Sequence, residues 1–331
     1  MTRRPTIRDV AGAVGMSVTT VSHALNGKGR VDAATRERIA GAAEQLGYRA
    51  DRTARRLRTG RSGTLGLVLP SFGLGTDDDE LGALDYYLHL AGAATRAAFA
   101  SGHPVLLTPP LSTVEDLRDL GVDGGVVCDP LSDDRRVELF ETLELPVVTI
   151  ERDPARPERP WVVRADNEGN TRAVLDHLAQ AGSERIALLA ASGGWGWAEE
   201  TTAAYEAWSA EHGREPLVEL VDPRTGERGG HEPAKRLLTR ERPDAILSQA
   251  ERFTNGVLCA ALDLGLRIPQ DLRVAAALDS HQARDADVTA IDLRPDAQGE
   301  AAIALLLERL AGAERDAPLI TASELMVRGS T

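Results

Sequence analysis

From Thr64 onward the sequence alternates short apolar runs with helical patterns, and this alternation constrains the fold more than any other feature. Leu65–Leu69, Val105–Leu107, Gly124–Cys128 and Val147–Ile150 are mostly apolar runs of strand length. Ile186–Leu189, Leu217–Val221, Ala245–Leu247 and Val274–Leu278 form a second set. Between them, Leu84–Ser101, Asn167–Ala181, Ala198–His212 and Phe253–Leu264 read as helices. A strand that is apolar on both faces must be covered on both faces, which is the signature of a parallel sheet inside helices. Two sets predict two doubly wound α/β lobes within residues 64–331, with any ligand outside the carboxyl ends of the strands.

The chain has 331 residues, more than one compact domain needs, and ample length to bury a core. No run reaches the ~18 apolar residues of a membrane span, and no signal-peptide stretch follows Met1, so a soluble, cytoplasmic protein is expected. Two cysteines, Cys128 and Cys259, make neither a disulfide framework nor a zinc set. The net charge of −13 argues on its own against a nucleic-acid partner. That average hides a split. Residues 1–61 hold 13 Lys+Arg against 5 Asp+Glu, while the remainder holds 25 against 46. A basic segment ahead of an acidic body points to an arm that meets a polyanion.

Residues 6–47 read as three short helices. Thr6-Ile7-Arg8-Asp9 fits a capping box, and Ile7, Val10, Ala11 and Val14 then form one apolar stripe. Gly15-Met16 makes a tight turn, and Ser17 can cap a second helix running to Leu25. At ~100° per residue Val21, Ala24 and Leu25 share the buried arc, leaving Thr19, Ser22 and His23 opposite and Val18 at the edge. Asp32 opens a third helix with Ile39, Ala43 and Leu46 on its apolar face. Two helices about a Gly-containing turn suit a helix-turn-helix laid in a major groove. Spacing alone leaves a generic three-helix bundle open as well.

Three segments carry a resemblance: Thr6-Ile7-Arg8-Asp9-Val10-Ala11, Gly15-Met16-Ser17-Val18-Thr19-Thr20-Val21-Ser22, and Leu25-Asn26-Gly27-Lys28. With Val31, Thr35-Arg36-Glu37-Arg38-Ile39 and Leu46-Gly47-Tyr48, they closely resemble the headpiece of LacI/GalR-family transcriptional regulators. The resemblance implies that Val18, Thr19 and His23 read bases, and that Ser17, Thr20, Ser22 and Asn26 hold phosphates or position the helix. Thr6 and Arg30 join the expected DNA-contacting set. His23 stands where family members very often have Arg, so a bidentate grip on guanine is replaced by a single contact. Val18 and the Thr19 methyl suit thymine methyls.

Residues 49–63 concentrate Arg49, Arg52, Arg55, Arg56, Arg58 and Arg61, and by composition read as a flexible basic linker. They also resemble the family's hinge helix, which implies that Leu57 wedges into the minor groove while Arg55 faces the backbone. Ala50-Asp51 replaces the common Pro-Asn pair there.

The acidic body resembles the family's periplasmic-binding-protein-like core through Asp166-Asn167-Glu168-Gly169, His177-Leu178, Gly182, Ile186 and the closing Leu325–Thr331. The expected organisation is a headpiece over 1–48, a hinge over 49–63 and a core over 64–331. Lobe 1 covers about 64–165 and 293–316, and lobe 2 about 166–292 and 317–331. Strand ends nominate the cleft residues: Ser71, Phe72, Tyr86, Tyr87, Glu151, Trp195, Trp197, Glu251 and Asp279. Ring faces beside carboxylates suit a polyol or a cation. Thr201 stands where sugar-binding members commonly place an Arg, Ala250-Glu251 replaces Asn-Asp, and Leu278-Asp279 replaces Asp-Asp. A familiar monosaccharide is therefore not the expected effector. A sugar bound differently, an amine-bearing molecule, or no small ligand all stay open.

No G-x-S-x-G, P-loop or G-x-G-x-x-G occurs, and Gly193-Gly194-Trp195-Gly196 lacks the dinucleotide spacing. The seven histidines show no ligand spacing. The expectation is a non-enzyme without cofactor or metal. It is a dimeric regulator, in this family usually a repressor, that binds a pseudo-palindromic operator under control of a cleft ligand. The rival class is a solute-binding or sensor module whose cleft is its main function.

Overall fold

The computed structural model describes residues 5–25, 29, 31–48, 61–70 and 84–331. The chain divides into two compact units, Met1–Gly63 and Thr64–Thr331.

In the first unit, α1 (Ile7–Val14), α2 (Val18–Leu25) and α3 (Ala33–Gln45) form a small bundle. The Asp9 carboxylate accepts from both the Thr6 amide and the Thr6 hydroxyl at 2.7 Å, which ties down the start of α1. Gly15 ends that helix in the left-handed region at φ 67°, where a Cβ is disfavoured. The Ser17 hydroxyl accepts from the Thr20 amide at 3.1 Å, and Asp32 caps α3 by accepting from Thr35 at 2.8 Å. Val10, Ala11, Val21, Ala24, Ile39 and Ala43 close the core, one small apolar stripe from each helix.

In the second unit the first sheet contains β1 (Leu65–Val68), β2 (Val105–Leu107), β3 (Gly124–Cys128), β4 (Val147–Ile150) and β5 (Val162–Ala165). The second contains β6 (Ile186–Ala191), β7 (Val218–Val221), β8 (Ala245–Ser248), β9 (Arg273–Ala276) and β10 (Thr289–Asp292). Two short strands near the C-terminus complete them: β11 (Leu319–Thr321) joins the first and β12 (Glu324–Met326) the second. The strand orders are β2-β1-β3-β4-β5-β11 and β7-β6-β8-β9-β10-β12. All pairings are parallel except β10 with β12. Each sheet is doubly wound, with the order reversing at β1/β3 and at β6/β8, and those switch points open the crevices where such sheets bind ligands.

The helices follow as α4 (Leu84–Ala100), α5 (Val114–Leu120), α6 (Arg135–Thr142), α7 (Asn167–Gln180), α8 (Gly196–Glu211), α9 (Gly226–Arg240), α10 (Glu251–Asp263), α11 (His281–Asp285) and α12 (Pro295–Leu310). On one face of the first sheet, Leu90, Ala94 and Ala98 of α4 meet Ala302, Ile303 and Leu306 of α12. These two helices approach closely because residue 299 is glycine: a Cβ there would overlap the Leu90 carbonyl oxygen. Among the described residues no helix is long and apolar enough to cross a membrane.

The chain crosses between lobes after β5 and after β10, near the expected 165 and 292. The third crossing differs from the expected 317. β11 pairs with β5 in register Leu319↔Val163 to Thr321↔Ala165, so lobe 1 extends to Thr321 and the chain crosses at residues 322–323. The sequence hides this because β11 is a partly exposed edge strand with no continuous apolar run. β5 and β10 carry no strand signal in the sequence for a related reason, since Arg164, Thr289 and Asp292 interrupt their apolar character.

Candidate functional site

The two units each present a candidate surface. On the first, α2 turns Val21 and Ala24 inward and leaves Val18, Thr19 and His23 exposed, with Val18 at 41%. Ser17, just ahead of the helix, is also exposed, while Thr20 and Ser22 are half-buried. The side chains expected to read bases therefore lie on one solvent-facing arc, and Thr6 and Ser17 are bound into helix caps beside it. His23 rests against Gly29, where φ is +73° and a Cβ would come within 2.8 Å of His23 Nδ1. Asn26, Arg30, Arg55 and Leu57 lie outside the described residues, as does the hinge over 49–60.

In the second unit a cleft opens between the lobes, lined by residues of both. Lobe 1 contributes Tyr86 and Tyr87 from α4, Asp129 after β3 and Glu151 after β4. Lobe 2 contributes Trp197 and Thr201 from α8, Gln249 to Arg252 after β8, Ala277 and Leu278 after β9, and Leu293 after β10. Asn167, at the first crossing, completes the wall. Nearly every one of these follows the carboxyl end of a strand, as the doubly wound order requires.

The site is acidic. Asp129 and Glu151 are both buried non-glycine residues with positive φ, 44° and 65°, a costly backbone that aims both side chains from adjacent strand ends. Tyr87 donates its hydroxyl to Asp129 Oδ2, and Tyr86 donates to Gln298 Oε1. Glu151 accepts from the Ala165 amide and from Asn167 Nδ2, each at 2.9 Å. Burial pushes the Asp129 carboxyl up to about 6 and the Glu151 carboxyl up to about 7, the latter raised further by Asp129. Glu251 is 5% exposed, and burial raises it to about 7. Burial and the nearby Asp129 hold both tyrosine hydroxyls well above their usual range. Gln249 spans two elements, accepting from the Ala191 amide at 2.6 Å and donating to the Ala198 carbonyl at 2.8 Å, which fixes the loop before α8.

Six expected cleft residues thus meet: Tyr86, Tyr87, Glu151, Trp197, Thr201 and Glu251. Ser71 and Phe72 lie outside the described residues. Two others stand elsewhere. Trp195 is buried in the lobe 2 core, stacked on Trp197 with ring centroids 6.1 Å apart, and its backbone forms a β-bridge with Leu131 of lobe 1. Asp279 is held by Arg328 through two contacts of 2.7 and 3.0 Å and does not line the cleft. Asp129, Asn167, Gln249 and Arg252 went unnamed as cleft residues in the sequence. Asp129 had the same signal as Glu151, a carboxylate directly after a strand, whereas nothing local distinguishes Arg252. Among the described residues no group of His, Cys, Asp and Glu is arranged to hold a metal ion.

Comparison with known proteins supplies the remaining observations. Residues 6–51 match the lacI family of bacterial regulatory proteins, and residues 175–331 match a periplasmic binding protein-like domain. The maltose regulon regulatory protein MalI of Escherichia coli K12 is 35% identical over 196 residues, covering 56% of this chain and 54% of that one. Against MalI, then, the chain spans about half the relative's length. The HTH-type transcriptional regulator reg1 of Streptomyces lividans is 29% identical over 346 residues, covering 98% of this chain and 96% of that one. Among solved structures, the transcriptional regulator CelR–cellobiose complex superposes with a TM-score of 0.72 at 26% identity, covering 99% and 100% of the two chains.

Proposed function

Because the chain belongs to the lacI family of bacterial regulatory proteins, we propose that it is a sequence-specific DNA-binding transcriptional regulator whose operator affinity is set by a small molecule in the interlobe cleft. The observation that carries this reading is the exposed arc of α2. A short helix that buries Val21 and Ala24 while presenting Ser17, Val18, Thr19 and His23 has side chains short enough to bring its backbone against base edges. The arginine-rich residues 49–61 supply phosphate neutralisation, and Leu57 the minor-groove wedge.

A dimer on a pseudo-palindromic operator follows from one headpiece per half-site. The core offers support for self-association. Leu88 and Phe99 of α4 are 62% and 74% exposed, and at ~100° per residue they fall about 20° apart on one helix face. Control by the cleft is linkage: a ligand that binds one lobe arrangement better shifts operator affinity by its differential affinity, and ~1.4–2.7 kcal/mol suffices for ~10–100-fold.

Footprinting the full chain on the DNA upstream of its own gene at moderate salt tests the proposal. A protected palindrome, lost as salt rises, is the expected result. No protection would return the chain to the rival class, a sensor whose cleft is its main function.

A further inference from the structure

Resting on the reading of the cleft as an effector site, we propose that its ligand is a small hydroxylated amine of the amino-sugar class, bound as a cation.

The carboxylates around the cleft fall into two groups. Those behind its walls are neutralised: Asp134 by Arg136 at 2.7 Å, Glu200 by Arg152 at 2.7 Å and Arg164 at 2.9 Å, Asp279 by Arg328 at 2.7 Å. Asp85, at the rim, holds Arg284 at 3.0 Å. The three that line the cavity, Asp129, Glu151 and Glu251, have no such partner. Among the described residues, no lysine, arginine or histidine nitrogen lies within ion-pair distance of any of them. A fold that supplies arginines to the outer carboxylates and withholds them from the inner ones leaves that pairing to a ligand.

Glu251 adds an independent observation. It is 5% exposed, lines the cavity, and its Oε1 has no hydrogen-bond partner among the described residues. An ionised oxygen left so is costly, and a donor arriving with the ligand removes the cost. Among the described residues the one cation in the wall, Arg252, is 8% exposed and sits beside Glu251, offsetting one of the three charges. Asp129 and Glu151 remain, next to the Tyr86 and Tyr87 rings, which cross edge to face at 5.1 Å. Buried carboxylates beside aromatic rings select an ammonium group by charge and by ring quadrupole together. The half-buried Trp197 face opposite and the side chains of Thr201 and Asn167 suit the apolar face and hydroxyls of a sugar ring.

The test uses the full chain and matched probes: glucosamine and galactosamine, their neutral parents glucose and galactose, N-acetylglucosamine, and cellobiose. Calorimetric titration at about pH 7.5 is expected to show at least one amine binding about tenfold or more tighter than its neutral parent and its N-acetyl form. The Glu151→Gln and Glu251→Gln variants are expected to lose that preference without gaining affinity for glucose. Equal or tighter binding of the neutral sugars, or no binding of either amine at millimolar concentration, overturns the proposal. Because wild-type selectivity alone decides it, a variant that fails to fold does not blunt the test. A parallel gel shift on the footprinted DNA separates the two readings. Amine binding with no operator binding would sink the regulator and keep the amine site. Operator binding released only by cellobiose or glucose would do the reverse.

Discussion

Replacing Glu251 with Gln tests the electrostatics of the cleft without any ligand. The carboxyl rises from its ordinary 4.5 to about 7, chiefly through burial, with Asp85 raising it further and Arg252, Arg284 and a Ser280 hydrogen bond opposing. A carboxyl raised in the folded state favours folding with the proton on. Its destabilisation is therefore absent below the unfolded value and grows until pH passes the folded value. The full shift corresponds to about 3 kcal/mol, of which about 2 kcal/mol falls between about pH 5 and about pH 8. Glutamine keeps the shape and removes the ionisation. Urea unfolding of the full chain is expected to show Glu251→Gln within about 1 kcal/mol of wild type at about pH 5, and more stable by about 3 kcal/mol at about pH 8. An equal effect at both pH values would refute the reasoning, because it would mean that the carboxylate is already solvated or paired. Saturating amine should shrink the gap at the higher pH, since the ligand then supplies the missing counter-charge.

Three further outcomes are expected. Arg328→Ala should cost about 2–4 kcal/mol of unfolding free energy in a urea titration, because Asp279 is 7% exposed and, among the described residues, then keeps only Arg284 at 3.6 Å; adding Asp279→Asn should recover part of the loss. Gly299→Ala should lower stability by about 1–3 kcal/mol in thermal unfolding despite alanine's better helix propensity, since its methyl meets the Leu90 carbonyl oxygen. His23→Ala should reduce discrimination at one position of each half-site by about 1–3 kcal/mol, read from single-base operator variants, with a much smaller effect on nonspecific DNA. A uniform loss across all sequences would instead assign His23 to the phosphate backbone.

The contrast between what was legible and what was not follows one physical line. The headpiece was readable because its signals are local. A cap, a glycine turn and an i, i+3, i+4 stripe within eight residues decide which face of α2 is buried, so Val21 and Ala24 lie inside and Val18, Thr19 and His23 outside. The parallel sheets were readable for the same reason, as runs apolar on both faces. The carboxyl ends of the strands carry Glu151 and Glu251 to the cleft, with Asp129 after β3 in the same position, and the helices that follow carry Tyr86 and Trp197. Composition by itself misdirected: a net charge of −13 conceals the basic end that meets DNA in the proposed function.

Pairings between distant residues were beyond the sequence. Trp195 and Trp197 look alike in their loop, yet one packs into the lobe 2 core and the other faces the cleft. Asp279 and Glu251 both follow strands, but Arg328 pairs with the first from the far end of the chain, whereas among the described residues the second has no ion pair. β11 stays in lobe 1 with α12 because an edge-strand pairing with β5 was open to it. Local periodicity sets which side of an element is buried, since helix residues three and four apart lie on one face and are covered together. Which carboxylate meets an arginine depends on chain segments brought together only by folding, and that decides where this protein keeps its unpaired charge.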